Sequence, residues 1–318
     1  MKLLTNIAQL ATCQAQGGQG DIHTIPDAAL AWDEGTITWV GPEAQLPAKF
    51  GGVDRLDAGR RLVIPGLVDC HTHLAFGGWR ADEFEQRILG RSYLEIARNG
   101  GGIASTVRHT REATAQQLTE RAAGVLKEML SLGVTTVECK SGYGLTVDAE
   151  LKLLRVYRHL ATEQAVRIVS TLLGAHIVPA EFRNDPESYV TLLVEQMIPA
   201  VAQEQLASCC DVFVEESAFS VSQARRILTA GRRAGLAAKL HADQLSSCGG
   251  AELAAELGAL SADHLEHISD AGIAALAATG VVAVSLPLAS LYLRQPGMPA
   301  RRPPDRSGVR PWSTGFGP

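Results

Sequence analysis

His71 and His73 stand one residue apart at the end of the apolar run Pro65-Gly66-Leu67-Val68-Asp69-Cys70. On a β-strand, residues i and i+2 share a face, so these imidazoles project side by side and can grip one metal ion. Further histidines recur in the same setting: His176 after Gly174-Ala175, His241 after Lys239-Leu240, and His264 after Ser261-Ala262-Asp263. His71, His73 and His241 would leave open positions on zinc or iron, as a catalytic ion requires. A structural ion favours four closed ligands, typically with cysteine. Bound water is acidified to a pKa of about 7, so hydrolysis follows more naturally than redox chemistry.

The elements that must carry these residues repeat along the chain. Apolar, β-branched runs at Leu62–Cys70, Val134–Cys139, Arg167–Leu173, Asp211–Glu215, Leu236–His241, Ser261–His264 and Val281–Leu286 read as strands. Helical patterns over Ala113–Leu130, Asp148–Leu160, Val221–Ala234, Gly250–Leu257 and Ser269–Ala278 lie between them. The strands are mostly apolar on both faces, as in parallel sheets covered by helices. This alternation predicts an α/β fold, a (β/α)8 TIM-like barrel, whose active site gathers at the carboxyl ends of the strands. Lys140, Tyr143, Glu215, Glu216, Asp243, Gln244, Glu266 and His267 fall at those ends too. An open doubly wound sheet lacks support, because no G-x-G-x-x-G turn is present. Gly100-Gly101-Gly102 follows a helix and reads as a mobile substrate-side loop.

The first sixty residues lack helical periodicity, and Ala28–Trp32 with Thr36–Val40 read as a hairpin broken at Asp33-Glu34-Gly35. The expected layout is a small β-sandwich-like domain over 1–60, the barrel over 61–295, and a Pro/Arg-rich tail over 296–318. Six of the 14 prolines fall in that tail, which is poor strand material, so the barrel is expected to be incomplete at strand 8.

A net charge of −5 argues against nucleic acid or an anionic membrane as partner. No apolar run reaches the roughly 18 residues of a membrane span, and Met1–Cys13 does not read as a signal peptide. The six cysteines form no C-x-x-C pair, which suits a reduced, cytoplasmic enzyme. A small-molecule substrate is expected, and a homodimer is left open.

The motifs together carry a resemblance. Pro65-Gly66-Leu67-Val68-Asp69-Cys70-His71-Thr72-His73 after a short β domain is similar to the amidohydrolase superfamily. Four further strings resemble its imidazolonepropionase family: Lys140-Ser141-Gly142-Tyr143-Gly144-Leu145, Gly174-Ala175-His176, His241-Ala242-Asp243-Gln244, and Ser261-Ala262-Asp263-His264-Leu265-Glu266-His267. The resemblance implies hydrolysis of the lactam C–N bond of 4-imidazolone-5-propanoate to N-formimidoyl-L-glutamate. It makes His71, His73 and His241 ligands of one zinc or iron ion. It sets Arg80 on the substrate propionate, which its planar fork suits. Tyr143 and His176 would orient the ring, Gln244 would hydrogen-bond substrate, and His264 would serve in acid–base work. Two other readings compete, a ring deaminase of the cytosine or guanine type and a non-catalytic metal-binding remnant. A propionate needs a cation such as Arg80, whereas a neutral base does not. A carboxylated-lysine binuclear site is disfavoured, because such lysines end strand 4 and Lys140 ends strand 2.

One departure stands out. The family's S/T-D-F-N-P near strand 8 is met by Ser313-Thr314-Gly315-Phe316-Gly317-Pro318, so Gly315 occupies the place of an aspartate that binds metal and shuttles a proton. The strands that complete the small β domain are likewise missing. The composition changes abruptly after about Pro296, and the expectation is a truncated or frame-shifted reading frame with weak turnover and poor stability. One of the other two frames of the gene beyond the Pro296 codon should therefore encode a T-D-F-N-P equivalent. Nucleotide sequence lacking it overturns that expectation.

Overall fold

The fold is that of a computed structural model, which describes residues 1–14, 16, 21–91, 95, 100–293 and 313–314. Contacts divide the chain into two compact units, one ending at Gly66 and the other beginning at Leu67.

The first unit is one sheet of five strands: β1 (Lys2–Ala11), β2 (Thr24–Asp33), β3 (Thr36–Pro42), β4 (Arg55–Asp57) and β5 (Leu62–Val63). Its order is β3-β2-β1-β4, with β5 pairing onto β1. Leu3, Thr5 and Ile7 alternate into its interior, as period-2 geometry demands. Glu34 and Gly35 both take positive φ, 47° and 78°, the two-residue hairpin turn that matches strand twist. Among the described residues this unit shows a single sheet, without a facing one to make a sandwich. The expected strand Leu62–Cys70 is in fact two. Leu62–Val63 pairs with β1, and β6 begins only at Leu67. Pro65 lies between them and has no N–H to give a ladder.

The second unit lays its strands side by side in chain order. They are β6 (Leu67–Thr72), β7 (Val134–Lys140), β8 (Arg167–Ala175), β9 (Cys209–Val214), β10 (Ala237–Ala242), β11 (Ser261–His264) and β12 (Val282–Ser285). All pair in parallel, and helices cover the outer face as in a (β/α)8 barrel. An eighth strand, β13, is only two residues, Ser313–Thr314, paired in parallel with Val284 and Ser285. The rest of the Pro/Arg-rich tail, Gly315 included, lies outside the described residues. The helix expected at Ala113 starts at Ala115, because Thr114 caps it with a reciprocal Thr114–Gln117 capping box. Its Leu118, Ala122 and Leu126 bury one face, as do Leu153, Leu154, Tyr157 and Leu160 on the helix Val147–Glu163.

The inner face of the sheet corrects the expectation of strands apolar on both sides. Glu138 and Lys140 on β7, Thr171 on β8, Asp211 on β9, Lys239 and His241 on β10, and Ser261 and Asp263 on β11 are all buried. Their i, i+2 spacing puts them on the barrel side of the pleat, while outward-facing apolar neighbours dominate the sequence pattern. Lys140 Nζ lies 2.9 Å from Glu138 Oε1, 2.7 Å from Asp211 Oδ2 and 3.3 Å from Asp263 Oδ2. Lys239 Nζ adds contacts of 3.1 Å to Glu138 and 3.8 Å to Asp263. Burial by itself would discharge Lys140, yet Asp211, Glu138 and Asp263 hold its ammonium well above the ordinary lysine range.

Removing one partner of such a cluster leaves the others buried and uncompensated. Lys140→Met should therefore lower unfolding stability by about 3–5 kcal/mol, read from the urea midpoint at unchanged m-value. A loss below about 1 kcal/mol would put the cluster in the class of weak surface pairs.

Candidate metal centre

At the carboxyl end of the barrel strands, one cavity of about 410 Å³ is lined by His71, His73, Arg80, Tyr143, His176, His241, Gln244 and His264. The structure thus gathers the eight residues given a ligand, substrate or acid–base role in the sequence, but not Lys140, Glu215, Glu216, Asp243, Glu266 or His267. Ile103, Phe213, Leu245, Leu286, Ala289 and Leu293 give the wall its apolar area, and Arg87 and Tyr292 complete it.

Each element is fixed by identifiable contacts. Thr72 ends β6, and the loop running on to Arg80 is clamped from outside. Tyr157 accepts from Ala75 N at 3.0 Å and donates to Lys140 O at 2.9 Å. Arg121 donates to Phe76 O at 3.1 Å and sits 4.1 Å and 4.0 Å from the Phe76 and Trp79 ring centroids. The loop carrying Tyr143 wraps the buried Glu150 carboxylate, which accepts from Gly142 N, Gly144 N and Leu145 N at 2.9, 2.7 and 2.8 Å. Gly144 is required there, because a Cβ would come within 2.6 Å of the Ala149 carbonyl carbon.

Two strand-end carboxylates prove to be loop braces rather than site groups. Asp243 accepts from Cys248, Gly249 and Ala251 backbone N–H groups, and Glu215 accepts from those of Leu245 and Ser246. Between them they set the segment bearing Gln244. Gly102 is buried with its N–H on Glu83 Oε1 at 2.8 Å, so the end of the triglycine is anchored at the start of the helix Ile103–Glu112. Lys140 belongs to the charge cluster beneath the site.

Neighbouring strand residues normally point to opposite faces, yet Asp263 and His264 both reach His71. Asp263 Oδ2 is 2.7 Å from His71 Nδ1, and the His264 ring centroid is 5.1 Å from that of His71. The backbone accounts for this: His264 and Leu265 take φ of 79° and 67°, a left-handed turn that breaks the alternation at a strain of about 1–3 kcal/mol per residue.

The imidazoles are in the state that metal binding needs. Burial, then the charge of Lys140, holds His71 well below its ordinary value, and burial with the neighbouring His176 does the same to His73. His176 is lowered to about 3, chiefly by burial and then by His241. The network assigns the tautomers. His71 Nδ1–H donates to Asp263, and His176 Nδ1–H donates to Gly142 O at 3.0 Å, leaving each Nε2 with its lone pair. His241 Nδ1 lies 3.0 Å from Asp211 Oδ2, an ion-pair distance without hydrogen-bond geometry, and the His241 backbone N–H donates to Asp211 Oδ1 at 3.1 Å, so the carboxylate sits behind the ring. Ligand atoms of His71, His241 and His264 lie within 4.8 Å of one another, and so do those of His73, His176 and His241. The expected trio His71, His73 and His241 is not itself one of these groups; it takes His71 from the first and His73 from the second, with His241 common to both. His73 Nε2 and His241 Nε2 are 3.4 Å apart, matching the separation of about 3.4 Å between nitrogens on a tetrahedral ion with bonds of about 2.0–2.1 Å. The buried Nδ1 atoms of His73, His241 and His264 have no hydrogen-bond partner among the described residues. A convergent set of buried imidazoles, two of them close to carboxylates, fits a divalent ion.

Sequence reasoning missed Asp211 and Asp263, because a lone strand aspartate carries no signal until its neighbour across the barrel is known. It also missed Arg87. The available clue was spacing: Arg80 and Arg87 are seven residues, two helical turns, apart and share a face.

Asp263→Asn should weaken metal affinity about 10- to 100-fold, measured by competition with a chelator on protein whose circular dichroism is unchanged. Unaltered affinity would remove Asp263 from the support of His71.

Residues 62–291 match the amidohydrolase family. The imidazolonepropionase of Myxococcus xanthus is 53% identical over 306 residues, covering 94% of this chain and 73% of that relative. That of Porphyromonas gingivalis is 48% identical over 307 residues, covering 94% and 73%. Among solved structures, an atrazine chlorohydrolase variant from Arthrobacter aurescens, determined with zinc and atraton, superposes at TM-score 0.67 and 15% identity, covering 99% of this chain and 72% of its own. A guanine deaminase from C. acetobutylicum superposes at TM-score 0.63 and 15% identity, covering 95% and 71%. At such identity these two share the fold.

Proposed function

This chain belongs to the amidohydrolase family and, within it, to the imidazolonepropionases, and we propose from that premise a part for each side chain of its cavity. The reaction is hydrolysis of the lactam C–N bond of 4-imidazolone-5-propanoate, giving N-formimidoyl-L-glutamate, a step of histidine degradation. His71, His73 and His241 hold one ion, zinc or iron. When bound, that ion acidifies water and polarises the lactam carbonyl.

The remaining work falls to the chain's own groups. Arg80, at the start of the helix Ala81–Ile88, receives the propionate carboxylate. Tyr143 and His176, with ring centroids 5.2 Å apart, orient the imidazolone ring, and His73 stacks on His176 at 4.9 Å. Gln244 hydrogen-bonds the substrate but cannot serve as a base, since a carboxamide is far too weakly basic to take up a proton at neutral pH. His264 is the acid–base group. Burial lowers it below its ordinary value, so as a neutral imidazole it takes a proton from the attacking water at a ring nitrogen and passes it to the leaving nitrogen. Glu266, 3.9 Å from His264 Nδ1 and itself accepting from Ser290 Oγ at 2.5 Å, stabilises the transient imidazolium. None of the six cysteines is in a disulfide, which supports a reduced, cytoplasmic setting.

The observation that carries this reading is the charge of the cavity wall. Among the described residues that line it, histidines apart, the ionisable groups charged at neutral pH are Arg80 and Arg87, with no carboxylate. A neutral purine or pyrimidine offers nothing to that pair, whereas a propionate does.

An endpoint assay with stoichiometric, metal-reconstituted protein scores even slow turnover. N-formimidoyl-L-glutamate should appear in the NMR spectrum, and release of ammonia instead would favour the deaminase. Arg80→Gln should raise KM about tenfold at constant metal content, the loss of one charge-assisted contact. An unchanged KM removes Arg80 from the carboxylate.

A further inference from the structure

The loop from His73 to Arg80 joins two residues of the cavity, and two helices hold it from outside. On one side Gly77 N–H donates to Thr110 Oγ1 at 2.8 Å, and the chain lies so close to the helix Ile103–Glu112 that a Cβ at Gly77 would run into the His109 carbonyl. On the other side Arg121, from the helix Ala115–Ser131, reaches Phe76 and Trp79. Its guanidinium carbon stands 4.1 Å and 4.0 Å from the two ring centroids, and Nη1 donates to Phe76 O at 3.1 Å. Its buried Nε and Nη2 have no hydrogen-bond partner among the described residues. Trp79, 73% exposed, meets the Phe76 ring at 5.6 Å and 87°. Phe76 in turn meets Tyr143 edge-on, with centroids 6.3 Å apart at 66°. Arg121 itself does not line the cavity.

A cation over an aromatic face is attracted by the ring quadrupole, and more strongly where water is kept out. A planar guanidinium packed against two rings at right angles therefore fixes the orientation of both, and its carbonyl contact fixes the backbone beneath them. Resting on the reading in which Tyr143 orients the substrate ring, we propose that Arg121 is a positioning residue for Tyr143. It does not touch the substrate. It sets the Phe76 ring, and the Phe76 ring sets the Tyr143 ring at the cavity.

The test is a double-mutant cycle read by calorimetry on metal-loaded protein, with 3-(imidazol-4-yl)propanoate as a non-hydrolysable probe. Arg121→Met should weaken the probe about three- to tenfold. Metal content should stay unchanged, because the Ala75 and Gly77 contacts still hold the loop. Arg121→Lys, which keeps a cation over the rings, should recover part of that loss. In a Phe76→Leu background the Arg121→Met loss should shrink to about twofold or less, because the ring it acts through is gone. An equal loss in both backgrounds would assign Arg121 to general packing and overturn the proposal. So would unchanged affinity in Arg121→Met, or a loss that follows depleted metal. The expected coupling in protein that forms no N-formimidoyl-L-glutamate would refute the reaction and leave the Arg121 assignment standing.

Discussion

Lys140, wholly buried, faces Glu138, Asp211 and Asp263, and two of those carboxylates continue outward to imidazoles. Asp263 meets His71 Nδ1 at 2.7 Å, and Asp211 meets His241 Nδ1 at 3.0 Å. The ammonium therefore does two things at once. It neutralises part of a charge that the barrel could not otherwise bury, and it sets the positions from which two histidines are aimed. A barrel interior filled with branched aliphatics would be easier to stabilise. This one places ion pairs there because the histidines above need oriented carboxylates behind them.

Around that floor, the loops are positioned by carboxylates accepting backbone N–H groups. Glu150 shapes the Tyr143 loop, while Asp243 and Glu215 shape the segment bearing Gln244. Each device satisfies buried donors and also fixes where a substrate-facing side chain can stand. The left-handed turn at His264 belongs to the same logic, since it lets two consecutive residues serve one site. The site's polarity is layered in consequence: buried anions beneath, imidazoles above them, and arginines at the wall, an order suited to a cation at the floor and an anionic substrate over it.

Much of the site was legible in the sequence, for a specific reason. Strand-end histidines carry their meaning locally, because the period of two fixes their shared face and a parallel barrel fixes which end matters. The G-Y-G loop was legible as a motif, though its cause, the Glu150 carboxylate seven residues beyond Tyr143, was not. The reading went astray where long-range pairing decides. Leu62–Val63 looked continuous with the histidine strand, but it hydrogen-bonds to β1 across more than fifty residues. The inner-face ions were hidden because each stands singly in an otherwise apolar strand.

The sequence by itself determined the family, the alternation that makes a barrel, and the residue types that converge at its carboxyl end. These are local in origin, set by side-chain period and motif spacing. Only the tertiary structure decided which carboxylate backs which histidine, that Lys140 is interior rather than substrate-facing, and that Arg87 joins Arg80 in the cavity wall. Those depend on the register between strands and on contacts between helices about two hundred residues apart, as between Arg87 and Tyr292. Such contacts form only when the closing sheet brings distant segments together.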